Sequence, residues 1–207
     1  MTPVIRTTAC VSGISIERGV TLAEMREHLA LPENVVWMDV QSPGADEIAM
    51  LCAEFGFHPM SLKDAGTGRH RPKLDARKNY IEMVIYAVLP GATEGEVKLA
   101  EIDLFIGKNF IVTVHSGPVP AVDEAMQHWS KGGAMLREGI GFPYYCVLEA
   151  AVAGFAPTIA SMEEIVEDPQ LDIASGTDER NVERLLAMKR TLFSLRRVLY
   201  PMRDSVH

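Results

Sequence analysis

The side chains in this sequence that can do chemistry are carboxylates, imidazoles and one dense run of bases. Glu163, Glu164, Glu167 and Asp168 crowd into one short segment. Hard oxygen ligands of this kind suit Mg2+ or Ca2+, although the same spacing also describes the solvated face of a helix. His58, His70, His115 and His128 could bind a softer cation, yet none stands in an HxH or HxxxH pair, the spacings that set two imidazoles side by side. Between Arg69 and Lys78 the chain packs Arg69, His70, Arg71, Lys73, Arg77 and Lys78 around a single acid, Asp75. Such a patch could hold phosphate, or it could be a loop whose charges pair with acids elsewhere in the chain. No aromatic is interleaved with the bases before Tyr80, which argues against stacking on single-stranded nucleic acid. GxSxG, P-loop and GxGxxG patterns are all missing, and with them the local frames that expose a nucleophile or cradle a phosphate. The expectation is a protein that is not an enzyme.

Composition narrows the choice. The chain has 207 residues, 47% of them hydrophobic, enough for one sizeable core or a core with an appendage. Twenty bases stand against 28 acids, a formal net charge of -8. General nucleic-acid binding wants the opposite balance, whereas an acidic surface attracts cations. Cys10, Cys52 and Cys146 are scattered and form no CxxC, so they read as buried thiols in a reducing cytosol. The opening "MTPVIRTTACVSG" lacks the apolar stretch of a signal peptide. No apolar run is expected to approach the roughly 18 residues that cross a bilayer, and the expectation is a soluble chain.

The elements that must position these residues follow from periodicity. Residues 4–20 read as two short strands around Ser12-Gly13. Thr21 with Glu24 is a capping box opening a helix. "NVVWMDV" is a strand. "GADEIAMLCAEFG" is an amphipathic helix with Ile48, Leu51, Cys52 and Phe55 on one face and Gly56 as its stop. A short helix starts at Pro59. After the basic patch come three strand-like runs, the last two joined by a tight turn at Gly107-Lys108-Asn109, and then the helix "AVDEAMQHWSKG". From about Pro143 the pattern becomes helical. Leu185, Met188, Leu192, Leu195, Leu199, Met202 and Val206 form an a/d heptad series, whose seam is expected to be buried. "DIASGTDERN" supplies a turn between two long helices, and Pro157 and Pro201 are expected to break hydrogen bonds inside them. The predicted architecture is α/β, a mixed sheet flanked by helices over 1–142, followed by a long antiparallel helical hairpin, a stalk, over 143–207. The second helix is expected to continue beyond His207.

"HPMSLKDAGTGRHRPKLDARKNYIEMVIYAV" resembles the most recognisable segment of the cytosolic domain in the CorA family of divalent-cation transporters. His58-Pro59-Met60, Lys63-Asp64, Arg71-Pro72-Lys73-Leu74-Asp75 and Tyr80 hold the places of that family's pattern. "VVWMDV" is similar to its Trp-x-Asp strand, "LFIGKNFIVTVH" to the strand pair that follows, and "MKRTLFSLRRVLYPMRD" to its closing helix. The similarity runs in order over roughly residues 35–207. At one place the chain departs from the family: the usual Glu-Asp is Lys63-Asp64. The family's Gly-Met-Asn signature and two membrane helices are expected downstream.

This resemblance implies a cytosolic ion-sensing and gating domain of a Mg2+ transport protein, on the cytoplasmic side of the inner (plasma) membrane, without the pore itself. It implies a homopentamer and Mg2+ as both effector and transported ion, with Zn2+, Co2+ or Ni2+ as alternatives. Asp64 is implied as one side of an interfacial regulatory metal site, facing an acid further along the neighbour's stalk. Arg71 and Lys73 are expected to pair with acids of their own domain. Lys63 in place of Glu raises the weight of a zinc-transporting branch of the same family. A reading from another class is a helical-hairpin scaffold that binds a partner protein through its heptads.

Overall fold

Seven strands form one sheet in the order β2-β1-β3-β7-β6-β5-β4: β1 (Val4–Val11), β2 (Ser15–Arg18), β3 (Val35–Gln41), β4 (Lys73–Ala76), β5 (Ile81–Leu89), β6 (Lys98–Ile106) and β7 (Phe110–His115). The structure is a computed structural model that describes residues 2–89, 97–167 and 179–206. The pair β3–β7 is parallel and every other pairing is antiparallel. Helices α1 (Leu22–Leu29), α2 (Ala45–Phe55), α3 (Pro59–Lys63), α4 (Pro120–Ser130), α5 (Gly141–Ala153), α6 (Phe155–Glu167) and α7 (Glu179–Val206) complete the fold. It is the α/β arrangement expected, a mixed sheet flanked by helices with a helical C-terminal region.

Local signals explain the boundaries. The Thr21–Glu24 capping box is present in both directions, which satisfies two amides that the first turn of α1 would otherwise leave open. Gly56 ends α2 in the left-handed region at φ 68°, where a Cβ is disfavoured. His58 Nδ1 accepts the Met60 amide at 3.1 Å and so caps α3, while Pro59 fills its first turn.

Alternation along the strands gives the sheet two covered faces. On one, Val36, Met38, Phe105 and Val112 pack with Met25 of α1 and Leu51 of α2. On the other, Trp37, Ile85, Leu104 and Ile111 pack with Trp129 of α4, Cys146 of α5 and Leu195 of α7. Trp37 and Trp129 meet at 5.6 Å between ring centroids. Cys10 and Cys146 are buried thiols and Cys52 is half-buried.

Three expectations change. First, residues 141–167 are long and apolar enough to pass the length and composition test for a bilayer span, with mean hydropathy 1.4 in their best stretch. Residues Phe142, Cys146, Val147, Ala151 and Phe155 of that stretch are nevertheless core. Second, the helix breaks at Gly154, so Pro157 falls in the first turn of α6, where a missing amide hydrogen does little harm. Pro201 does lie inside α7. Third, the stalk seam has the right period and a shifted phase. Met188, Thr191, Leu195, Val198 and Met202 are buried, whereas Leu192 is 54% exposed. α7 lies against β5 and β4, and that sheet surface selects the stripe centred on 188, 195 and 202. The turn expected over 172–181 falls mainly on residues outside those described.

Leu195→Ala should therefore cost about 2–5 kcal/mol, as a buried truncation does. Leu192→Ala should stay within about 0.5 kcal/mol in the same chain. Urea denaturation of both variants checks the phase; equal losses would place Leu192 back in the seam.

Candidate functional site

Residues 61–78 are held over the β4–β5–β6 edge by buried acids. Glu82 on β5 and Glu101 and Asp103 on β6 are 3%, 2% and 0% exposed. The register sets Tyr86 opposite Glu101, Val84 opposite Asp103, and Glu82 opposite both Phe105 and Asp75. These side chains therefore share one face of the sheet.

Glu82 pairs with two members of the basic patch, Lys73 and Arg77. Its carboxylate accepts from Ser61 at 2.7 Å, Lys73 at 3.0 Å and Arg77 at 3.1 Å. Lys73 also bonds Asp75 at 2.7 Å. Burial alone would raise the pKa of Glu82, but these three donors hold it below the ordinary value. Lys73 thus pairs within the domain as expected. Arg71 is exposed and has no ion-pair partner among the described residues, and Arg77 takes the role foreseen for it. The patch is in part the counter-charge of a buried acid.

Glu101 and Asp103 draw on other donors. Glu101 Oε2 accepts from the His70 amide at 2.8 Å and the Tyr86 hydroxyl at 2.9 Å. Asp103 Oδ2 accepts the Gly66 amide at 2.6 Å. That contact requires glycine: Gly66 has φ +70°, and a Cβ there would lie 2.7 Å from His115 Cα. His70 Nδ1 lies 3.1 Å from Glu101 Oε1 and 3.7 Å from Asp103 Oδ1. Burial first, and the adjacent Glu101 charge second, push the Asp103 carboxyl up to about 8, against the Gly66 hydrogen bond. Among the described residues, His70, Glu101 and Asp103 are the three-ligand convergence of His, Cys, Asp or Glu atoms, all within 4.8 Å of one another.

The other named residues are placed as follows. Asp64 is the C-cap of α3 and half-buried. Its carbonyl accepts from Thr67, and its carboxylate has no ion-pair partner among the described residues. Lys63 beside it is exposed. Glu163, Glu164 and Glu167 are exposed on α6 and join no three-ligand cluster among the described residues; Asp168 lies outside those residues. His128 pairs with Glu149 at the surface, at 3.0 Å. His115 is buried against Asp39, 3.0 Å away; Asp39 also accepts from Thr113 and from Arg6. Sequence reasoning passed over Glu101 and Asp103. Their signal was "EID" in an otherwise apolar strand, two acids two residues apart and so on one face.

A seven-stranded mixed sheet is roofed on one face by α1–α3 and backed on the other by α4–α7, with buried acids under the HPM…RPKLD segment. The family described as CorA-like Mg2+ transporter protein matches residues 32–207, and the chain belongs to that family. The Bacillus subtilis protein YfjQ is 28% identical over 171 residues, 83% of this chain and 52% of that protein. The chain spans about half the length of the curated relatives it matches. The soluble domain of CorA from Methanocaldococcus jannaschii superposes with a TM-score of 0.78 at 19% identity, covering 99% of this chain and 79% of that one. The ZntB cytoplasmic domain from Vibrio parahaemolyticus superposes at 0.61 with 15% identity, covering 83% and 67%.

Asp103 gives a pH test. A carboxyl whose pKa is raised on folding carries its proton in the folded state and loses it in the unfolded one between the two values. Stability contributed by that proton is present below the unfolded value near 3.8 and is lost as pH climbs through about 8. Asp103→Asn should flatten that slope and raise stability at pH 9 by about 1–3 kcal/mol, the cost of one unsatisfied buried group. Urea titrations of chelator-treated protein at pH 6 and 9 read the effect; parallel slopes in wild type and variant would contradict it.

Proposed function

We propose that this chain is the cytosolic ion-sensing and gating domain of a CorA-type Mg2+ transport protein, working as a homopentamer at the cytoplasmic side of the inner membrane. In this reading the α/β core of residues 1–142 carries the sensing surface and the helices of 143–207 form the stalk, while the pore is formed outside the chain. The observation that carries it is Asp64. It is a half-exposed carboxylate with no ion-pair partner among the described residues, mounted at the end of α3 inside the segment that matches the family. A second observation supports assembly. Val182, Leu186, Phe193 and Tyr200 are 39–60% exposed on α7, and their spacing sets them in one stripe opposite the buried seam.

The mechanism is electrostatic. Two carboxylates about 5 Å apart across a subunit boundary repel by roughly 3 kcal/mol at an effective dielectric near 20. A Mg2+ ion that keeps several waters turns that repulsion into a bridge. Bound ions then favour the closed, symmetric assembly, and their loss shifts the population away from it. Nothing in this scheme asks the chain to catalyse a reaction. The exposed Lys63 and the structural likeness to a ZntB cytoplasmic domain favour a second reading, a zinc-transporting member of the same family.

In the full-length protein, millimolar Mg2+ should protect the stalk region from limited proteolysis, and Asp64→Ala should lose most of that protection. Equal protection of wild type and variant would remove Asp64 from the sensor. Protection by Zn2+ alone would favour the second reading.

A further inference from the structure

The carboxylates of Glu101 and Asp103 are each fixed from one side; on the other, Glu101 Oε1 meets His70 Nδ1 at 3.1 Å and Asp103 Oδ1 is left open. Glu101 Oε2 is held by the Tyr86 hydroxyl and the His70 amide, and Asp103 Oδ2 by the Gly66 amide. Their remaining oxygens turn toward His70 Nδ1. Asp103 Oδ1 is fully buried and has no hydrogen-bond partner. A cluster of acids alone would say little, but a buried carboxylate oxygen left unbonded beside an imidazole nitrogen is a ligand position.

We propose that His70 Nδ1, Glu101 Oε1 and Asp103 Oδ1 form a divalent transition-metal site within one subunit, for a cation of the Zn2+ or Co2+ type. Bonds of about 2.1 Å arranged tetrahedrally place ligand atoms about 3.4 Å apart, and the two nitrogen–oxygen separations, 3.1 and 3.7 Å, bracket that value. Once the ion has displaced the proton held by Asp103, two carboxylates and a neutral imidazole balance its charge, so the buried site closes electrically neutral. One nitrogen with two oxygens suits Zn2+ or Co2+ better than Mg2+, which prefers an octahedron of oxygens and several retained waters. The His70 side chain is 28% exposed, leaving that edge for entry and for a water as the fourth ligand. Tyr86 and Gly66 orient the two carboxylates from behind, as the outer partners of a metal site do. The buried imidazole of His115 offers no such position: Asp39, facing it, is already taken up by Thr113 and Arg6.

The site needs no neighbouring subunit and does not include Asp64, so it stands or falls apart from the proposal made for that residue. Its effect is to fasten the 64–71 segment onto β6.

The test is titration of the chelator-stripped chain with Co2+, read by visible d–d absorption, and then displacement by Zn2+. Wild type should bind one Co2+ per chain with an intense low-coordinate spectrum, and Mg2+ in large excess should not displace it. Asp103→Asn and His70→Ala should weaken Co2+ roughly tenfold or more, while Asp64→Ala leaves the spectrum unchanged. Asp103→Asn keeps the shape but has no proton to give up to an incoming metal ion, so it remains informative if His70→Ala unfolds; circular dichroism monitors both. No stoichiometric spectrum in wild type, or equal binding by wild type and Asp103→Asn, would overturn the site.

Discussion

Burying three carboxylates on one face of two adjacent strands is the constraint on which this half of the molecule depends. Glu82, Glu101 and Asp103 are all but sealed from water, and ionised groups in such a place need donors or protons. The 61–78 segment provides them in order. Ser61 reaches Glu82, Gly66 reaches Asp103, His70 reaches Glu101, and Lys73 and Arg77 return to Glu82. Lys73, Arg77 and His70 of the local basic run thus sit above acids that lie directly beneath them. Glu82 has enough donors to ionise freely; Asp103, with a single amide and a like-charged neighbour, does not. The two ends of the same roof thus stand in opposite protonation regimes.

A second polar network does the corresponding work on the other face. β3 and β7 form the one parallel pair, with Asp39 beside Thr113. Trp37 Nε1 donates to Thr113 at 3.2 Å, while Thr113, His115 and Arg6 all converge on Asp39. Arg6 also reaches Asp123 of α4. A slip of one residue between these strands would turn every one of these groups to the wrong side of the sheet, so the network specifies register as well as satisfying polar groups. Burial alone would raise the pKa of Asp39, but His115, Thr113 and Arg6 hold it below the usual range. The Trp-x-Asp strand and the strand ending in His115 are recognisable motifs because they bond to each other.

Much of the frame could be read from spacing, because caps, glycine stops and two-residue alternation are local physics. Thr21 with Glu24, Gly56 and the Gly107–Asn109 turn are of that kind. β4 was hidden in the basic patch: only four residues long, at the sheet edge, it is joined to β5 by Lys73, which bridges the facing acids Asp75 and Glu82, rather than by apolar alternation. The heptad gave the correct period for α7, but the period cannot say which of two adjacent stripes meets the sheet. Thr191 is buried and Leu192 exposed because the sheet surface decides, not the hydrophobicity of the side chain. The joining of His70 to Glu101 and Asp103 could not be read from spacing, since 31 positions separate His70 from Glu101 and only the folding of the 66–70 segment over β6 unites them. Asp64 was legible only through family resemblance; among the described residues its carboxylate has no ion-pair partner that would mark it.

The roof also fixes where Asp64 can act. It terminates α3, and two residues later Gly66 is pressed against the backbone at the end of β7, with no space for a Cβ. A carboxylate on such a mount does not have to be ordered when a cation arrives, and what need not be ordered at binding costs no entropy then. Lys63 pulls the other way. It is exposed on the adjoining residue, well inside the roughly 8 Å over which charges act at physiological salt, so the tip of α3 carries a balanced pair rather than two acids. Attraction for a divalent cation at this edge is then set by what faces it. In the proposed assembly the neighbour's acids supply the charge, and Asp64 supplies a fixed position.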